Sequence, residues 1–131
     1  MSYQAESVTY YDPPGGTHFT VKVMRNEKNI CHELAEPLYR IANQECLQPG
    51  LEGQPFKPNY VYEFANGLTF RLWDDEVGVN DKVLEFYVPP EFQDNKQQVL
   101  SRIPQLLKMA GVTEGALVSL NEILQPPRFR V

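Results

Sequence analysis

Over residues 17–24 (THFTVKVM), Phe19, Val21 and Val23 alternate with His18, Thr20 and Lys22. A period of two predicts a strand with one apolar face and one polar face. Residues 6–11 (ESVTYY) are β-branched and aromatic, and they run into Asp12-Pro13-Pro14-Gly15-Gly16. Prolines preset φ and glycines accept positive φ, so this punctuation predicts a turn and the two segments a hairpin.

From Asn26 the period lengthens. Ile30, Leu34, Leu38 and Ile41, with Ala35 and Ala42 beside them, fall on one helical stripe. The spacing predicts a helix over 28–46, started by a cap at Asn26 or Asn29 and kinked or divided at Pro37. Residues 47–58 (LQPGLEGQPFKP) show no period and are dense in proline and glycine, which predicts an irregular loop of the kind that often carries function.

A second block of alternation follows. Tyr60, Tyr62 and Phe64 alternate with Val61 and Glu63; Asn66-Gly67 is a hairpin signal; Leu68, Phe70 and Leu72 alternate with Thr69, Arg71 and Trp73. Beyond the acidic turn Asp74-Asp75-Glu76, Leu84, Phe86 and Val88 alternate with Val83, Glu85 and Tyr87, until Pro89-Pro90 ends the strand. The three segments predict a meander. In the tail, Asp94 is placed to cap a helix with the stripe Val99, Leu100, Ile103, Leu106, Leu107 and Ala110. Gly111 suits its stop, and Thr113 opens a shorter helix with Leu117, Leu120, Ile123 and Leu124. The order β-β-α-β-β-β-α-α, with strands apolar on one face, predicts an α+β fold: an antiparallel sheet of about five strands covered on one face by helices.

Length and charge narrow the classes of function. At 131 residues the chain is expected to form a single domain, 1–131, with one core. Lys+Arg number 12 against Asp+Glu 17, a formal net charge of −5, and no window gathers the cations that phosphate binding needs, so nucleic acid is not the expected partner. No stretch is long and apolar enough to span a bilayer, and the first residues lack a basic-then-apolar leader pattern, so the expected location is cytoplasmic. Cys31 and Cys46, 15 residues apart on one helix, would be separated by about 22 Å, which predicts two reduced thiols.

Motifs for chemistry are sparse. Cys31-His32-Glu33 places thiol and imidazole on neighbouring residues that diverge on a helix. Asp74-Asp75-Glu76 with Asp81 lacks the alternating oxygens and closing glutamate of a calcium loop, and Asp12-Pro13-Pro14-Gly15-Gly16-Thr17 lacks the spacing of a phosphate loop. No metal or cofactor is therefore expected. Residues 103–121 have the outline of a helix-turn-helix, yet the second helix begins Thr113-Glu114-Gly115 and residues 113–124 hold no Lys or Arg for phosphates.

The positive signal is the polar side of the meander. Trp73, Arg71, Tyr87, Glu63 and Glu85, with Lys22 if the register allows, would share the open sheet face; a lone tryptophan beside arginine and tyrosine is the composition of a binding hot spot. The leading expectation is a non-enzymatic protein–protein interaction module: an adaptor, assembly factor or small regulatory subunit. A second reading is a small-molecule-binding domain or small enzyme with a pocket between the sheet and the first helix, lined by Tyr39, Tyr60 and Tyr62. A third is a transcriptional regulator using the tail. A homodimer through the edge strand at residues 6–11 is a further expectation.

Overall fold

The computed structural model describes residues 3–11 (the backbone alone for 6–11), 16–46, 53–73, 82–118, 120 and 124. The alternating segments form strands β1 (Tyr3–Tyr11), β2 (Thr17–Arg25), β5 (Thr69–Trp73) and β6 (Val83–Val88), with two short strands, β3 (Lys28–Asn29) and β4 (Tyr62–Glu63). Among the described residues all pairings are antiparallel, in the order β1-β2-β6-β5-β4, with β3 beside β2. Helices α1 (Cys31–Glu45), α2 (Lys96–Leu100) and α3 (Arg102–Met109) complete an α+β fold, together with 3-10 helices at Pro90–Asn95 and Glu114–Leu117.

The expected meander is present, and β2 lies against its last strand. This register draws one continuous row across the inner face: Phe19 opposite Phe86, Phe86 opposite Phe70, and Phe70 opposite Tyr62. The next row is Val21, Leu84 and Leu72. All seven side chains are buried. Leu34, Ala35, Leu38 and Ala42 of α1 join the same core, as do Val99, Leu100, Ile103, Leu106 and Leu107 of α2 and α3. Each large apolar side chain removed from water contributes about 1.5–3 kcal/mol, so these rows fix which face of each strand points inward.

Several boundaries differ from the sequence reading. The helix expected over 28–46 starts at Cys31, because Asn26 (φ 52°) and Glu27 (φ 66°) form a two-residue turn that returns Lys28–Asn29 as β3. Two successive positive φ values define the hairpin turn whose twist matches its strands. Asn26 therefore lies in this turn and not at the start of α1. Asn29 supplies one bond at the helix start, its Oδ1 accepting from the Cys31 amide at 2.9 Å. Pro37 does not divide α1, which continues through to Glu45. The carbonyl that its missing N–H would have bonded belongs to Glu33, on the exposed side of the helix where water has access.

The strand expected from Tyr60 to Phe64 is regular only at Tyr62–Glu63. Asn59 at φ 65° bends the chain before it, and after it Phe64 opens the hairpin turn, its carbonyl accepting from Gly67 N at 3.2 Å. Gly67 has φ 87°, and a Cβ there would lie 2.4 Å from the Phe92 ring, so both conformation and space require glycine.

The tail departs further. Asp94 lies inside the 3-10 helix Pro90–Asn95 and makes no side-chain cap for α2. The expected single helix is split at Ser101, whose hydroxyl donates to Gln98 O at 2.7 Å. Pro104, in the first turn of α3, has no N–H for the carbonyl of Leu100, so the break falls where the ladder already lacks a rung. Gly111 ends α3 as expected: at φ 111° its N–H bonds Lys108 O, and Val112 N–H bonds Leu107 O, both at 3.0 Å. Thr113 precedes a 3-10 turn without a side-chain cap, and Leu117, Leu120 and Leu124 are buried. Residues 12–15, 47–52, 74–81 and Ile123, on which the first turn, half the long loop, the acidic turn and one stripe position were placed, lie outside the described residues.

One polar strap ties the layers together. The Arg102 guanidinium of α3 donates to both carboxylate oxygens of Glu45 at the end of α1, at 2.8 and 2.7 Å, and Glu45 Oε1 also accepts from the Ala65 amide in the β4–β5 turn at 3.1 Å. The charge-assisted bond from Arg102 holds the Glu45 carboxyl below its usual range.

Candidate functional site

Parity puts the expected site residues on the side opposite the core. The register aligns Thr20 of β2, Glu85 of β6 and Arg71 of β5 in one row. His18, Tyr87, Thr69 and Glu63 form the neighbouring row across four strands. Trp73 stands opposite Val83 at the far end of β5.

Arg71 is the centre of the arrangement. Its Nε donates to Glu85 Oε1 at 3.0 Å, and its guanidinium carbon lies 4.4 Å from the centroid of the Trp73 ring. Glu85 fixes the position of the guanidinium while the indole supports it from one side, so a long flexible side chain is held in place before any ligand arrives. Among the described residues, Arg71 Nη1 and Nη2 make no hydrogen bond. Trp73 is 41% exposed although it is the chain's only tryptophan, and Val61, just before β4, is 48% exposed.

Tyr87 lies on the other flank. Its ring is 4.6 Å from that of His18, and it covers Gly16 so closely that a Cβ there would lie 2.5 Å from the ring. Gly16 has φ 138°, so glycine serves there for conformation as well as space. His18, Val61, Thr69, Phe70, Arg71, Glu85 and Tyr87 enclose a shallow hollow of about 110 Å³.

Of the five expected residues, Arg71, Glu85 and Trp73 are thus in contact, and Tyr87 shares the hollow with Arg71 and Glu85. Glu63 is on the same face in the row of Tyr87, but no ion pair joins it to the other four. Lys22 is also on this side of β2, beyond the row of Thr20 and Glu85. Four lining residues were absent from the site expected from sequence: Thr69 and Phe70 on β5 itself, and His18 and Val61 from neighbouring segments. The signal for the latter two was the alternation of 17–24 and 60–64, but only the pairing of β2 with β6 brings His18 beside Tyr87.

The other candidates resolve differently. Tyr39 and Tyr62 are buried with ring centroids 4.7 Å apart, and Phe56 from the loop packs on both at 6.0 and 5.7 Å. The Tyr39 hydroxyl donates to Gln54 O, and the Tyr62 hydroxyl accepts from Lys57 N at 3.0 Å. The space between sheet and first helix is therefore occupied by rings, with Tyr60 exposed at its margin. Cys31 is fully buried: Val23 N–H donates to its Sγ at 3.3 Å, and burial pushes its thiol above the usual range, which keeps it protonated. His32 next to it is exposed, and both cysteines are free. Among the described residues no group of His, Cys, Asp and Glu is arranged to hold a metal ion, and no helix is long and apolar enough to cross a membrane.

No protein-family model matches the chain, and neither a curated protein nor a solved structure matches it. The functional reading therefore rests on the geometry of the outward face.

Proposed function

We propose that the chain is a non-enzymatic protein–protein interaction module, an adaptor, assembly factor or small regulatory subunit, and that the outward face of β2, β6, β5 and β4 is its docking surface. One observation carries this reading: Arg71 held between Glu85 and the exposed ring of Trp73. An exposed tryptophan backed by a fixed arginine offers large contact area at little further cost in conformational entropy, the combination found at binding hot spots. Tyr87 and Val61 extend it with apolar surface, and Glu63 and Lys22 supply a polar rim.

The test compares capture of a protein partner by the wild-type chain, by Trp73→Ala and by Met109→Ala, an exposed apolar site on α3. The expected result is one stoichiometric partner retained by wild type and Met109→Ala and lost at least tenfold with Trp73→Ala, with Tm nearly unchanged. Equal retention by all three chains overturns the reading.

A further inference from the structure

We propose that the hollow beside Arg71 receives an extended segment of the partner that presents an Asp or Glu side chain two residues from an aliphatic one. The inference deepens the docking role of the outward face and rests on it.

The donor chemistry comes first. A guanidinium has five N–H donors, and Glu85 takes the one on Nε, so the Nη pair keeps the parallel fork that matches a carboxylate. The fork is already oriented by Glu85 and by the Trp73 ring 4.4 Å away, so binding costs little ordering of Arg71. The adjoining hollow of about 110 Å³ is lined by Val61 and Tyr87 as well as by polar groups, and its size suits one branched aliphatic side chain. In an extended segment, residues i and i+2 point to the same side, so one strand-like stretch delivers a carboxylate to Arg71 and a methyl-bearing group to the hollow.

The same chemistry selects among ligands. Glu85 neutralises Arg71, and Glu63 lies on the same face, so a doubly charged phosphate meets nearby carboxylates. The chain's net charge of −5 gives no long-range attraction for an anion. Recognition is thus by fork geometry at short range. A chain terminus is captured mainly by backbone N–H nests, whereas here the donor is a side chain on a regular sheet face, which favours an acidic side chain within a segment.

The test is an NMR titration of the full chain with the blocked pentapeptide acetyl-AEALA-amide and its analogues AQALA and AEASA. Trp73, the chain's only tryptophan, gives a single indole N–H signal at the site. AEALA is expected to shift that signal and the Arg71 Nε–H, with half-saturation at about tenfold lower concentration than AQALA. AEASA is expected to bind more weakly than AEALA. Arg71→Gln is expected to abolish the preference for Glu over Gln; Arg71→Lys keeps the charge without the fork and is expected to recover only part of it. Dispersed inner-face resonances confirm folding of both variants. Equal titration by AEALA and AQALA, shifts confined to another face, or no shift with any peptide overturns the inference. If the peptides fail while Trp73→Ala still weakens partner capture, the acidic-segment chemistry falls and the docking face stands.

Discussion

The two faces of the sheet are built from the same strands, one residue apart, and they do opposite work. On the inner face Phe19, Phe86, Phe70 and Tyr62 make a buried row, in which Tyr62 and Phe70 lie 5.7 Å apart and Phe70 and Phe86 6.3 Å. On the outer face the neighbouring positions Thr20, Glu85 and Arg71 make a row held by one ion pair and backed by an exposed indole. Burial removes the inner row's freedom, so its identity is set by volume. The outer row keeps solvent access, so its identity is open to selection for something other than stability.

The strongest way to break this contrast is from the inside. Phe86→Ala removes a ring at the middle of the inner row and is expected to cost about 3–5 kcal/mol in urea unfolding. A loss below about 1 kcal/mol would mean that the row is not the core. Next is Gly67→Ala, at the turn that sets the β4–β5 register. Its φ of 87° and the Phe92 ring 2.4 Å from a new Cβ give an expected loss of about 1–3 kcal/mol, read by the same unfolding curve.

A third prediction concerns the strap that presses the helices onto the inner face. Glu45→Gln is expected to cost about 1–2 kcal/mol at neutral pH, since it removes the charge from a two-pronged bond whose side chains are only 24% and 16% exposed. The pH dependence has a definite sign. Arg102 lowers the Glu45 carboxyl in the fold, so the stabilisation is complete above the unfolded value of about 4.3 and fades as pH falls through the lower folded value. The difference between wild type and Glu45→Gln should therefore shrink toward zero in acid. A difference that persists at low pH would show that Gln disturbs packing instead.

What the sequence made legible follows the same division. Phe19-Val21-Val23 and Leu84-Phe86-Val88 announce the inner face through a period of two, and the outer residues follow as its complement. The adjacency of β2 and β6 was hidden, because their pairing joins residues far apart in the chain and leaves no local pattern; this is why His18 was missing from the candidate site. β3 was hidden because Ile30, Leu34 and Leu38 keep helical spacing, while the turn at Asn26-Glu27 is set by two positive φ values. The break at Ser101 was hidden because Leu100 and Ile103 preserve the stripe across it, and only Pro104 marked the place.

Two outer-face experiments sharpen the comparison with small numbers. Trp73→Ala is expected to change stability by less than about 1 kcal/mol, because the ring is 41% exposed and the core does not need it. A loss of 3 kcal/mol or more would place Trp73 with the inner row, and its loss of partner binding would then be a consequence of unfolding.

The smallest expected effect is the coupling of Arg71 to Glu85, and it separates a structural pair from a positioned one. In a double-mutant cycle of Arg71→Ala and Glu85→Ala, a pair with side chains 30% and 21% exposed should show about 0.2–1 kcal/mol of coupling in stability. The same cycle read in partner binding should show a larger coupling, because without Glu85 the guanidinium must be ordered again at the moment of docking. If the two couplings are equal, Glu85 supports the sheet alone. If the binding coupling exceeds the folding coupling, Glu85 acts as a positioning residue for Arg71, and the outer row is organised around what it holds out to solvent.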